Sequence, residues 1–150
     1  MKIDLTKRGD YAVRAMLALA QHQSEGLLSG PSIAAEMSIP PCFLPQVMGD
    51  LVRGGLVEAT TGRAGGYRLT RPAAEITLLQ VVEAVEGDSR RTSCVLRGGP
   101  CRRDGTCAVH DTFMAAQDGM LAPLQGSTLA DVTEAVRGSA PRATDHEGRQ

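Results

Sequence analysis

The segment CVLRGGPCRRDGTCAVH places three thiols, Cys94, Cys101 and Cys107, in one glycine-rich stretch and sets His110 one helical turn after the last of them. Thiolates are soft ligands suited to iron–sulfur clusters or zinc. The intervening glycines let such a stretch curl until its sulfurs converge. Arg90, Arg91, Arg97, Arg102 and Arg103 crowd the same region. Their positive field favours thiolate over thiol and offsets part of the charge of a thiolate-ligated centre.

Three thiols leave one coordination position to fill. His110 is one candidate, and Asp10 is a second, remote one that the fold or a partner subunit would have to bring close. A non-cysteine ligand suits a sensor, because a weaker bond leaves an iron open to oxidants or small ligands. Zinc held by Cys94, Cys101, Cys107 and His110 has equally suitable ligand chemistry. The spacing matches neither ferredoxin runs nor paired CxxC zinc sites, so both metals, and bare redox-active thiols, stay open. The fourth cysteine, Cys42, stands apart and is expected to be a small buried or half-buried residue.

A second group of residues has nucleic-acid chemistry. Arg63 stands between Gly62 and Gly65 at the tip of a TGRAGG turn, where little obstructs its reach into a narrow minor groove. Lys7, Arg8, Arg53 and Arg68 are candidates for phosphate contacts, and Gln46 for a base edge. The bland alternative is a winged-helix protein-interaction module without operator specificity.

The elements that must position these residues follow from periodicity. Tyr11, Ala12, Ala15, Met16, Leu19 and Ala20 recur at helical spacing between Thr6 and Gln21. Ser29 caps a short second helix with Pro31 in its first turn, and Ser38, Ile39 and Pro40 end it. Leu44, Val47, Met48, Leu51 and Val52 define a third helix, stopped by Gly54 and Gly55. Two short helices across so tight a turn predict helix-turn-helix. Leu56–Thr60 and Tyr67–Leu69 predict a two-stranded wing. Thr77 and Gln80 form a capping box, with Ile76 and Val81 as its staple, for a fourth helix from Leu78 to about Glu86. A long helix is expected from Cys107 onward, weakened by Gly119 and Pro123, then a last short helix over Thr128–Val136. The polar tail from Gly138 is expected to be disordered.

The fold class is therefore mainly α with a small β-wing: a winged helix-turn-helix domain over 1–87, a cysteine-rich loop over 88–107, a long dimerisation helix and last short helix over 108–137, and a tail over 138–150. At 150 residues and 42% hydrophobic content the chain can bury one ordinary core. Its net charge is −1, but residues 1–72 carry eight Lys and Arg against six Asp and Glu, and residues 73–150 eight against eleven. The first half is the better phosphate-facing surface. No stretch reads as a signal peptide or a membrane helix, which predicts a cytoplasmic protein where disulfides are disfavoured. No nucleophile–base pairing or phosphate-cradling loop is present, so an enzyme is not expected.

In order, TKRGDYAVRAMLALA, SIPPCFLPQVMGDLVRGGLV, TGRAGGYRLTRP, ITLLQVVEAVEG and the three-cysteine loop resemble the Rrf-two family of bacterial winged-helix transcription regulators, of the IscR, NsrR and RirA kind. The resemblance runs from Met1 to about Val136. It implies a homodimer, a palindromic double-stranded DNA operator, and a two-iron or four-iron cluster on Cys94, Cys101 and Cys107; the expected function is a repressor whose cluster senses redox state, nitric oxide or iron status. By the same resemblance His110 matches a ligand of some members, and Asp10 matches a carboxylate that in others reaches the cluster from the second subunit. The chain departs from the family at Pro45, inside the recognition helix, where a proline beyond the first turn would kink it. The Cys94 to Cys101 spacing also differs slightly from some members.

Overall fold

The computed structural model describes residues 4–90, 96, 99 and 109–139. The first helix, α1 (Lys7–Gln21), starts where the Thr6 hydroxyl accepts from the Gly9 amide at 3.2 Å. Its core face is mostly small, with Ala12, Ala15 and Ala18 fully buried beside Met16 and Leu19. That lets α1 act as the central strut on which α2, α3, α4 and α6 pack.

Helix α2 (Gly30–Met37) is capped by Ser29, whose Oγ accepts from the Ser32 amide, and ends at Ser38 in the left-handed region (φ 53°). A turn through Pro40 and Pro41 leads into α3 (Leu44–Arg53), so Pro45 falls in the first turn. An amide there has no intrahelical partner to lose, and the kink that proline threatened does not arise. Leu44, Val47, Met48 and Leu51 bury the inner face of α3.

The wing is the antiparallel pair β1 (Val57–Thr60) and β2 (Gly66–Leu69), in register Val57↔Leu69 through Thr60↔Gly66. A third partner, unmarked by any local pattern, joins the wing: Leu28, ahead of α2, exchanges two backbone bonds with Tyr67, at 2.8 and 3.0 Å. A Cβ at Gly66 would lie 2.6 Å from the Leu28 carbonyl oxygen, so this approach requires glycine.

Helix α4 (Leu78–Glu86) carries both halves of the capping box, Gln80 N to Thr77 Oγ1 at 3.2 Å and Thr77 N to Gln80 Oε1 at 3.0 Å, with Ile76 and Val81 fully buried. Helix α5 (His110–Gly126) runs through Gly119 and Pro123, with Leu121 as its buried residue. Helix α6 (Leu129–Gly138) has its own capping box, Thr128 with Asp131. Backbone bonds from Leu129 to Ile76 and from Leu78 to Ser127, both 2.9 Å, join the approaches to α6 and α4. Leu129 thereby enters the same core as α1 and α3. The expected start of the long helix at Cys107 and most of the expected tail lie outside the described residues.

Candidate nucleic-acid interface and cluster-ligand residues

The recognition helix and the wing face one another across an open groove of about 1020 Å3, lined among others by Ala34, Leu44, Pro45, Thr61 and Arg63. Gly62 adopts φ 104°, and its carbonyl accepts from Gly65 N at 3.1 Å, which closes the turn and leaves Arg63 exposed at its tip. Gln46 is exposed on the first turn of α3 and Lys7 on the first turn of α1. Among the described residues none of these three side chains has an ion-pair partner.

The other expected phosphate contacts are engaged within the protein. Arg8 of α1 and Arg53 of α3 both hydrogen-bond the carboxylate of Asp50, which is only 8% exposed. Burial pushes the Asp50 carboxyl up, but the hydrogen bonds and charges of the two guanidiniums outweigh it and hold the group below its ordinary range. Arg68 donates to Glu58 at 2.7 Å across the strand pair. Arg8, Arg53 and Arg68 are thus partly neutralised, and Arg63 beside the groove has no ion-pair partner among the described residues.

Of the expected cluster ligands, Cys94, Cys101 and Cys107 lie outside the described residues. Asp10 sits in the first turn of α1 and is gripped by Arg14, Nε to Oδ1 at 2.9 Å and Nη2 to Oδ2 at 2.7 Å. Its side chain is still 42% exposed. His110 is half-buried and opens α5. Arg90, expected to lend charge to the cysteines, pairs with Asp118 of α5 at 2.6 Å. Cys42 is exposed, contrary to the buried or half-buried position expected. It belongs to the turn before α3, where Leu44 takes the inward position.

A residue with no signal in the sequence fastens the start of α1 to the end of α4. Glu86, last in α4, accepts from Thr6 N at 2.8 Å and from Thr6 Oγ1 at 2.6 Å. A Cβ at Gly9 would collide with Glu86, so glycine there makes room for the contact. The partners are 80 residues apart, and no local pattern signals such a pair.

Helix-turn-helix, flanking wing and a guanidinium at the wing tip define a winged helix-turn-helix DNA-binding protein. The family model of Rrf2 (Rrf-two), described as iron-dependent transcriptional regulator, matches residues 5–135. The chain belongs to this family: it is a DNA-binding transcription regulator and not an enzyme. It is 36% identical over 132 residues to protein aau3 of Rhizobium meliloti (strain 1021), covering 87% of this chain and 85% of that one. To the HTH-type transcriptional regulator IscR of Photorhabdus laumondii it is 33% identical over 128 residues, covering 85% and 77%. Among solved structures, CymR, the global cysteine regulator of B. subtilis, superposes with a TM-score of 0.74 at 26% identity, covering 89% of this chain and 98% of that one. T. potens IscR gives 0.73 at 25% identity, with 95% of each chain covered. Among the described residues no helix is long and apolar enough to cross a membrane.

Proposed function

We propose that the protein is a cytoplasmic, homodimeric repressor whose affinity for a palindromic operator is set by an iron–sulfur cluster on Cys94, Cys101 and Cys107, with Asp10 or His110 as fourth ligand. The observation that carries this reading is the Glu86–Thr6 contact. It fastens the first turn of α1, which bears Asp10, to the last residue of α4, and the cysteine segment leaves α4 just beyond. Helix α1 in turn holds α3 through Arg8 and Asp50. A displacement of the segment therefore has a bonded route to the recognition helix.

The donor set fits such a group: three soft thiolates, with an accessible carboxylate and a half-buried imidazole as hard or borderline additions. When bound, a cluster supplies iron that responds to redox change, nitric oxide or iron status. Ligation through Asp10 requires Arg14 to release or share a carboxylate oxygen, whereas ligation through His110 leaves that pair intact. The dimer face is assigned to α5, whose Phe113, Met120 and Leu124 are half-buried in the single chain.

Anaerobic reconstitution followed by iron and sulfide analysis tests the reading. Cys101→Ala should abolish the visible chromophore, and Asp10→Ala against His110→Ala should identify the fourth ligand. Zinc without iron would reassign the loop to a structural site. Metal-free protein whose DNA binding follows thiol oxidation would favour a sensor built on bare redox-active thiols.

A further inference from the structure

The outer face of α3 has an unusual composition for a helix that reads bases. Between residues 41 and 49 the exposed side chains are Pro41, Cys42, Phe43, Pro45 and Gln46, and Gly49 is half-exposed. No exposed residue of α3 before Arg53 is charged; Asp50 is buried beneath Arg8 and Arg53. The Phe43 ring packs toward α1, its centroid 6.0 Å from that of Tyr11. Pro45 lines the groove shared with the wing, and Gln46 stands beside it with no side-chain partner among the described residues.

In the major groove, guanine is read best by the paired donors of Arg or by Lys, and cytosine by a carboxylate acceptor. This face offers neither. A carboxamide has one donor and one acceptor group in the arrangement that matches adenine N7 and N6. A pyrrolidine ring offers only CH surface, which matches the C5-methyl of thymine.

We propose that α3 reads an A·T-rich half-site, in which Gln46 pairs with an adenine and Pro45 packs against the methyl group of a neighbouring thymine. Arg63 agrees with that composition, because runs of A·T pairs narrow the minor groove and deepen the negative potential that attracts an arginine. The inference rests on the operator-binding reading above and adds the base chemistry that α3 recognises.

The test lets the full chain select duplexes from a randomised library. Thymines of the selected half-site are then replaced one at a time by deoxyuridine, which removes only the methyl group. A·T pairs should occupy the centre of each half-site, and one thymine per half-site should lose about fourfold in affinity without its methyl, the size of one buried methyl or methylene group. Pro45→Ala should erase that loss while leaving α3 folded, since the position is exposed and in the first turn. Gln46→Ala should flatten the preference for adenine over guanine at the adjacent pair. G·C pairs at these positions, or a methyl effect unchanged in Pro45→Ala, would overturn the inference alone. A library from which no duplex is enriched would overturn operator reading and, with it, this inference.

Discussion

Arg14 meets Asp10 side-on, one nitrogen to each carboxylate oxygen, and its remaining Nη1 reaches the Met37 carbonyl at the end of α2 at 3.4 Å. One guanidinium therefore links the candidate ligand on α1 to the turn between α2 and α3. It also lies over the Tyr11 ring, 6.0 Å from its centroid. Both partners of the pair are 42% exposed, so solvent screens it heavily. Arg14→Leu is expected to cost about 0.5–1 kcal/mol, read as a lower urea midpoint with an unchanged slope.

Asp50 gives the acid limb of the stability curve. Its carboxyl is held below the ordinary value of 3.8 when folded, so its contribution is fully present above that pH and is lost as the pH falls through the folded value. Asp50→Asn should flatten thermal stability in that acid range. At neutral pH it should cost about 1.5–2 kcal/mol, the lower part of the charged hydrogen-bond range, because Arg8 and Arg53 can turn to water.

His22 behaves in the opposite sense. Its Nδ1 faces Glu25 at 2.8 Å and its Nε2 faces Glu36 of α2 at 2.9 Å, and only the doubly protonated ring can donate to both. Those two hydrogen bonds, Glu25 first, raise it above 6.5 against a smaller opposing effect of burial. Stability from this clamp is complete below pH 6.5 and declines as the pH rises through the folded value. His22→Gln should remove the alkaline decline in a Tm series begun at pH 6.5; an identical decline in both proteins would contradict the assignment.

Glu86→Ala removes both bonds to Thr6 and should cost about 1 kcal/mol of stability. Gly9→Ala should produce a similar loss by displacing Glu86, although alanine is the better helix former. Hydrogen exchange at the first-turn amides of α1 should quicken in both variants. Unchanged protection would show that the contact does not hold α1 in solution.

Local chemistry was legible in the sequence, and long-range pairing was not. Thr77 with Gln80, Ser29 ahead of Pro31, and the glycines around Arg63 each signal their structure within a few residues, and all appear as read. The charge of Arg8, Arg53 and Arg68 is plain in the sequence, but their carboxylate partners within the protein are not. Arg8 finds Asp50 across 42 residues, and Arg68 finds Glu58 only through strand register. Whether Pro45 disrupts α3 depends on where the helix begins, and the start at Leu44 places it in the first turn. Leu28 and Leu129 carry no pattern announcing that one joins the wing and the other the core.

In the proposed mechanism the state of the cysteine segment sets operator affinity through α1. The most direct measurement of that dependence is the affinity of the anaerobically reconstituted chain for its selected operator before and after removal of iron and sulfide, at one salt concentration. The two affinities should differ by about fivefold or more, the lower bound of a typical coupling between two sites. Equal affinities in the two states, with iron and sulfide demonstrably bound in the first, would contradict the mechanism.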